Sequence, residues 1–176
     1  MSTIPAKLLV LVGRDFACLK ISGRANFSSS PDFKALLTGL AQKGYAHFII
    51  DLSECVLMDS TFLGVLAGFG LKMNRAGNSR PGVLELANPS ARITELLENL
   101  GALHLFKVGS GPLQLPEGLQ ASEPESVNPS REEITRTCLE AHQTLKAMNP
   151  DNVARFKDVT RFLAEDLASL EKGRAR

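Results

Sequence analysis

The stretch His47–Gly64, with the sequence HFIIDLSECVLMDSTFLG, decides how this chain folds. It opens with a near-continuous apolar run that ends at Asp51-Leu52, which is typical of a strand covered on both faces. The residues from Met58 to Thr61 then supply side chains that cap helices. The stretch therefore predicts a buried strand, a short polar loop and a helix with a hydroxyl in its first turn.

Ser60 has two interpretations at this position. The first turn of a helix carries unpaired backbone N–H groups and a partial positive charge, so it can hold a phosphate. A serine there is either an ordinary helix cap or a phosphorylation switch. The spacing alone favours the cap, because serine caps are common.

The residues before this stretch predict two strands and a helix. Apolar runs at 7–12 and 16–21 flank Gly13-Arg14-Asp15, which forms a hairpin-like connection. Ser30-Pro31 is a strong helix start, with the serine as the cap and the proline at the first helical position. This helix is predicted to end at Lys43-Gly44, where the glycine can take a left-handed conformation.

The helix that begins at Asp59 or Ser60 is predicted to end near Ala76. One side of it carries an apolar stripe at three- and four-residue spacing, formed by Leu63, Leu66, Phe69 and Met73. Glycine inside a helix costs about 1 kcal/mol per residue. The simplest reason to keep three of them is close approach of a strand or a partner; they are Gly64, Gly68 and Gly70.

The residues that follow complete a strand and helix alternation. They predict a turn at 78–82, a strand at 83–87, a helix capped by Ser90 that ends before Gly101, and a strand at 105–108. The order is β-β-α-β-α-β-α-β, so the fold class is α/β, a mixed sheet with helices packed on it. Parallel strands in such a sheet are joined by right-handed crossovers.

The composition changes after residue 110. Residues 111–129 are rich in Gly, Pro, Ser and Glu, which predicts a linker. Ser130–Glu133 is a capping box that opens a helix, and Asn149–Asp151 separates this helix from a last one. We therefore divide the chain into a first domain at 1–110, the linker, and a C-terminal αα-hairpin at 130–176.

Each helix of this hairpin carries an apolar seam that it cannot bury alone. The hairpin is therefore expected to dock on the first domain or on a second copy of the chain. The alternating three- and four-residue spacing favours a homodimer, because it suits packing of helix on helix. Phe156 and Phe162 are the predicted anchors of the seam.

The composition argues against several classes of function. The 176 residues carry a formal net charge of +1, which gives no reason to predict binding to nucleic acid or to an anionic membrane. Three widely spaced cysteines indicate a reducing compartment, and we expect a cytoplasmic protein. His47, His104 and His142 lie far apart, so we predict no metal, no cofactor and no catalytic Ser/His/Asp group. An enzyme is therefore the poorer hypothesis.

The segment Met58–Gly64 resembles the signature of the STAS domain, which is found in bacterial anti-sigma-factor antagonists. In that family a strand ends in Asp-Leu, and a Met-Asp-Ser-Ser-Gly-Leu-Gly-like motif opens the next helix. The resemblance covers residues 7–108, and Ser22–Asn26 stands where the family has a Gly-Glu-Leu-Asp-like loop. Leu86–Ser90 and Leu100–Leu103 fit the family's next strand, loop and helix end. The resemblance implies the same STAS-like α/β fold.

The resemblance also implies a phosphorylation-controlled interaction module. In the family, the unphosphorylated antagonist binds a partner that is both a serine kinase and an anti-sigma factor, and so frees the sigma factor. Phosphorylation of the motif serine breaks this complex, and a phosphatase restores it. Carried over to this chain, Ser60 is the acceptor, and Asp59, Thr61, Phe62 and Asn26 are partner-binding residues.

The chain departs from the family pattern at three points. Thr61 and Phe62 replace the usual Ser-Gly, Asn26 replaces an acid near the acceptor, and the C-terminal hairpin is absent from a minimal antagonist. These departures leave an alternative, in which the STAS domain is a scaffold subunit of a larger signalling or transport assembly and Ser60 is only a cap. An enzyme of unknown type ranks third.

Overall fold

The computed structural model describes residues 6–75 and 82–174. Within these ranges the chain forms a sheet with helices packed on it, as the sequence predicts, and a C-terminal helical hairpin. The strands are β1 (Lys7–Val12), β2 (Ala17–Ala25), β3 (His47–Asp51), β4 (Cys55–Met58), β5 (Val83–Ala87) and β6 (Lys107–Gly109). The helices are α1 (Ser30–Gln42), α2 (Ser60–Met73), α3 (Ala91–Asn99), α4 (Arg131–Met148), α5 (Asp151–Arg155) and α6 (Lys157–Arg174).

The sheet is mixed, with the strand order β1-β2-β3-β5-β6. β1 and β2 form an antiparallel pair, and β2, β3, β5 and β6 run parallel. Leu19, Ile50 and Leu86 are register partners across the three central strands, and all three are fully buried. Their side chains belong to one large core that also holds the apolar residues of α1, α2 and α3. The helices therefore cover one face of the sheet.

The structure has one strand that the sequence analysis missed. β4 pairs in parallel with the far end of β2, where Ala25 and Met58 are register partners. β2 therefore extends through Ser22–Ala25, which we had interpreted as a loop. The backbone N–H of Asp59 also donates to the carbonyl of Ala25 at 2.9 Å. This pairing fixes the start of α2 beside the end of β2.

Most helix ends are where the sequence places them. Gly44 and Gly101 have φ values of 100° and 74°, and the Ser90 side chain accepts from the Ile93 N–H at 3.1 Å. The prediction that Ser30 caps α1 is wrong. A 3-10 turn at Phe27–Ser29 leads directly into the helix, so Ser29 occupies the cap position and Ser30 is the first helical residue. α2 ends at Met73, earlier than predicted, and the turn predicted at 78–82 lies, except for Gly82, outside the described residues.

The segment predicted as a linker is packed against the sheet. Leu113 and Leu115 contact a second, smaller cluster formed by Cys18, Ile49 and Ala87, on the face away from the helices. Farther along, Val10 and Ser122 exchange two backbone hydrogen bonds of 2.8 and 2.9 Å. We call residues 111–129 the strap, because they cross the back of the sheet before the chain reaches α4.

The C-terminal hairpin docks on the same chain. The capping box at Ser130 and Glu133 is confirmed, and α4 lies along α2, with Leu145 fully buried in the main core. Asn152, also fully buried, donates its Nδ2 to the carbonyls of Leu100 at 2.9 Å and Leu145 at 2.8 Å. These bonds fix the hairpin to the end of α3. No helix in the described part of the chain is long and apolar enough to cross a membrane.

The last helix differs from its prediction. It is interrupted at Phe156, which packs against the main core, and continues as α6. Phe162 is 58% exposed, with the Arg161 guanidinium 5.0 Å from its ring centre, so the prediction that it is a buried anchor is wrong for the single chain. The apolar seam of α4 is already packed against α2. A homodimer through the hairpin would therefore have to use α6. The dimer stays a prediction.

Candidate functional site

Asp59, and not Ser60, caps α2. Its Oδ1 accepts from the Phe62 N–H at 2.8 Å, and its Oδ2 accepts from the Phe27 N–H at 2.7 Å. One carboxylate thus closes the helix start and holds the turn that follows β2. Burial raises the pKa of the Asp59 carboxyl, and the N–H groups of Phe62 and Phe27 oppose that rise.

Ser60 is the first residue of α2, and its hydroxyl contacts a histidine from α4. The distance between Ser60 Oγ and His142 Nε2 is 2.8 Å. The other ring nitrogen, Nδ1, lies 2.7 Å from the carbonyl oxygen of Cys138, one helical turn earlier. A carbonyl only accepts, so Nδ1 carries a hydrogen, and in the neutral ring Nε2 accepts from the serine hydroxyl. The Ser60 hydroxyl therefore donates to His142, a side chain that is only 5% exposed.

Thr61 and Phe62 point into the protein. Phe62 is fully buried and stacks on Phe33 of α1, with ring centres 4.3 Å apart and planes 13° from parallel. Thr61 is 5% exposed and shares a hydrogen bond with the Cys138 thiol. The first turn of α2 lies between α1 and α4, so neither side chain is open to a partner here. Their predicted role in partner binding does not fit this arrangement.

Asn26 has a local role at the end of β2. Its Oδ1 accepts from the backbone N–H of Ser28 at 3.1 Å and from the Ser28 hydroxyl at 2.5 Å. These bonds shape the turn whose next residue, Phe27, donates to Asp59. Asn26 is thus connected to Asp59, the neighbour of Ser60, by the turn that it stabilises.

The close crossing of α2 and α4 explains one of the helix glycines. A Cβ at Gly64 would lie 2.6 Å from the Ala141 carbonyl oxygen and 2.8 Å from the Ala141 Cβ, so only glycine fits. One turn later, a Cβ at Gly68 would lie 3.7 Å from the Thr144 methyl group, which is ordinary contact. The close approach predicted for the glycines is therefore made by α4 at Gly64, whereas Gly70 faces Leu84, Leu105 and Phe106.

His142 is the residue that sequence reasoning missed. The sequence predicts no catalytic Ser/His/Asp group and gives no sign of the contact between Ser60 and His142, which are 82 residues apart. The one available signal was position, since His142 follows Ala141 and precedes Leu145 on the buried side of α4. No group of three or more His, Cys, Asp or Glu side chains in the described ranges is placed to hold a metal.

The Ser60–His142 pair has the geometry of a hydroxyl beside a base. Its third member is the Cys138 backbone carbonyl, whereas nucleophilic triads usually use a carboxylate to orient the histidine. His142 is also covered by protein on nearly all sides. While α4 is docked, the pair is a contact between two helices, and both ring nitrogens of the buried histidine are already engaged.

Two solved structures are similar to part of this chain. An anti-sigma factor antagonist from Mycobacterium paratuberculosis is 15% identical, with 61% of this chain and 87% of that chain covered and a TM-score of 0.52. SpoIIAA of Bacillus, solved in its phosphorylated form, is 18% identical, with 61% and 91% covered and a TM-score of 0.49. No curated protein matches the chain.

The match to a protein family is more direct. The family model of the STAS domain matches residues 9–112, which is more than half of the 176 residues. The matched range includes every strand of the sheet from β2 to β6, together with Asp59 and Ser60 at the start of α2. The chain belongs to the STAS domain family.

Proposed function

We propose that this chain is a phosphorylation-controlled protein-interaction module that resembles an anti-sigma-factor antagonist, with Ser60 as the acceptor. The observation that carries the proposal is that the helix cap and the hydroxyl at the start of α2 belong to different residues, Asp59 and Ser60. Asp59 supplies the helix cap, so the Ser60 hydroxyl has no part in closing the helix. A modification at Ser60 would therefore leave the cap intact.

The local electrostatics suit a reversible phosphate. The N-terminus of α2 presents its partial positive charge beside Ser60, which stabilises an added phosphate in the free protein. The phosphate adds roughly two negative charges, and these cannot enter a packed interface without a cationic partner. The same modification thus leaves the sheet and the cap of α2 in place, and it is incompatible with a tight complex at this surface.

The partner class comes from membership of the STAS family and from the resemblance of Met58–Gly64 to the antagonist motif. The unphosphorylated chain binds a serine kinase that is also an anti-sigma factor, and a phosphatase removes the phosphate. In this function the chain is a cytoplasmic regulator of transcription and does not itself catalyse a reaction.

One observation favours the alternative of a STAS scaffold subunit that is not phosphorylated. The Ser60 hydroxyl is already engaged, because it donates to His142 at 2.8 Å and helps hold α4 on α2. In that reading Ser60 is a structural contact between the two helices, and the partner surface lies elsewhere.

The experiment that tests the proposal is phosphorylation by a serine kinase purified together with this chain from its native cell. We expect one phosphate, located on Ser60 by fragment mass spectrometry, and its loss in Ser60→Ala. Ser90→Ala is the matched control, because Ser90 also lies at the start of a helix but serves as its cap. Phosphate on another residue, or none from a kinase that binds the chain, would contradict the proposal and favour the scaffold.

A further inference from the structure

We propose that α4 is an intramolecular gate over Ser60: it occupies the face of α2 that carries the serine, and another protein reaches Ser60 only after α4 moves away. What the gate controls rests on the proposed function. The gate itself rests on the contacts between two helices of this chain, and it can be tested without any partner.

The contacts place α4 directly over the first two turns of α2. His142 accepts from the Ser60 hydroxyl. The Cys138 thiol shares a hydrogen bond with Thr61, and the Ala141 backbone lies against Gly64. These three contacts join residues 60–64 of α2 to residues 138–142 of α4. Ser60 is half-buried as a result, and its neighbour Thr61 is 5% exposed.

The docked position of α4 is incompatible with a phosphate on Ser60. The phosphorus atom of phosphoserine is bonded to Oγ, and His142 Nε2 now lies 2.8 Å from that oxygen. Phosphorylation removes the hydroxyl hydrogen that bonds to Nε2, and a phosphoryl group in the direction of that bond would enter the space of the imidazole ring, which is packed edge-on against Phe156 with ring centres 4.9 Å apart. Phosphate and docked α4 are therefore alternatives. By linkage, whatever opens the gate favours phosphorylation, and phosphorylation keeps the gate open.

The side chains that α4 places around Ser60 are of types that allow the helix to separate from α2. Around Ser60, α4 presents small or polar side chains, namely Cys138, Ala141 and His142. At the edge of the contact, Lys34 and Glu140 form a 2.7 Å ion pair whose side chains are 45% and 50% exposed, and such exposed pairs contribute little stability. Leu145, farther along α4, is fully buried in the main core, so the part of the helix expected to move is the end that covers Ser60.

The strap keeps an opened α4 close to its site. Near its end, the Val127 N–H donates to the Asp32 carboxylate of α1 at 2.8 Å, which holds the strap three residues before Ser130. A tethered helix has a high effective concentration, so it returns unless a competitor occupies α2. A partner that binds the open form must offset this competition, and its apparent affinity falls with the fraction of chains that are open.

The test measures access to position 60 with a thiol probe. Ser60→Cys is combined with Gly64→Ala, whose new Cβ would clash with the Ala141 backbone at 2.6 Å and displace α4. The matched control is Ser60→Cys combined with Gly68→Ala, one turn away, where the new Cβ has its nearest neighbour at 3.7 Å. Both changes add the same methyl group to the same helix. Iodoacetamide labels the full-length variants, and peptide mass spectrometry assigns each label.

We expect labelling at position 60 and at Cys138 to be about tenfold faster with Gly64→Ala, and unchanged with Gly68→Ala. Cys18 and Cys55 report on the rest of the fold. Burial raises the pKa of Cys18 to about 11 and also raises that of Cys55, so both label slowly while the sheet is intact. Faster labelling at all thiols would mean general unfolding, and the second variant then decides.

That second variant is Ala141→Leu, which widens α4 at the crossing and leaves α2 unchanged. Ala141 is 3% exposed and has no room for a larger side chain. Unchanged labelling at position 60 in both variants, with circular dichroism showing a native fold, would overturn the gate. So would rapid labelling at position 60 in Ser60→Cys alone.

The kinase assay separates this inference from the proposed function. If Gly64→Ala opens position 60 and the kinase still leaves Ser60 unmodified, the gate stands and the proposed function fails. If the kinase modifies Ser60 at equal rates in Gly64→Ala and in the unchanged chain, the proposed function stands, and α4 does not control it.

Discussion

Asp59 is hydrogen-bonded to Phe27, because its Oδ2 accepts from the Phe27 backbone N–H at 2.7 Å. This bond crosses the gap between the end of β2 and the start of α2. The other oxygen caps α2 through Phe62. Removing this side chain leaves two N–H groups without their acceptor. We expect Asp59→Ala to lower the free energy of unfolding by about 1–2 kcal/mol, measured by urea denaturation. Ser90→Ala, which removes one cap bond, should cost less, and equal losses would argue against the bridging role of Asp59.

The raised pKa of Asp59 makes a prediction about pH. Its ordinary value is 3.8, and burial raises it in the folded state, so the folded chain holds this proton more tightly than the unfolded chain does. The proton-linked part of the contribution of Asp59 to stability is therefore fully present below the ordinary value and is lost as the pH rises through the raised folded value. Asp59→Asn does not titrate at this position. We expect the unfolding free energy of the unchanged chain, relative to that of Asp59→Asn, to fall as the pH rises across this window. A difference that is constant or rises with pH would contradict the prediction.

His142→Ala should loosen α4. The substitution removes the acceptor of the Ser60 hydroxyl and leaves a space beside Phe156. We expect a loss of about 1–3 kcal/mol in unfolding free energy. Hydrogen exchange should become faster in α4 and stay unchanged in β3. His104→Ala changes an exposed histidine and should fall within about 0.5 kcal/mol of the unchanged chain. Slow exchange in α4 of the His142→Ala variant would show that the docked helix does not depend on this contact.

Phe156 and Phe162 form a matched pair of the same residue type in one hairpin. Phe156 packs against the main core and His142, whereas Phe162 is 58% exposed. Phe156→Ala should therefore cost about 1–2 kcal/mol, as expected for partial burial of a large apolar side chain. Phe162→Ala should change the stability of the single chain by less than about 0.5 kcal/mol. A large loss in Phe162→Ala that depends on protein concentration would instead support a homodimer through α6.

Elements with strong local patterns could be predicted from the sequence, while β4 could not. The apolar run that forms β3 and the apolar stripe of α2 are readable because their own residues carry the period. β4 is short, and only its pairing with the far end of β2 makes it a strand. Such pairing depends on the position of a distant segment, which the local pattern does not contain.

The candidate site shows the same limit. The motif around Asp59 and Ser60 could be found from the sequence, because adjacent residues form a helix start. The contact with His142 could not, because it joins residues that are 82 positions apart. Phe62 illustrates the consequence: the family resemblance implies that it binds a partner, but packing between α1 and α4 makes it fully buried.

The strap has a consequence for the modularity of this protein. The STAS family match ends at residue 112, and two of the side chains that pack on Cys18, Ile49 and Ala87 follow it, namely Leu113 and Leu115. A chain cut where the family match ends would lose Leu113 and Leu115 and expose an apolar patch on the back of the sheet. The extension is therefore joined to the domain at two opposite surfaces, by the strap on one and α4 on the other. Transplanting the domain without it would transfer an incomplete surface, prone to self-association. Cleavage by a protease inside the strap would release the strap from the back of the sheet while α4 stays docked on α2.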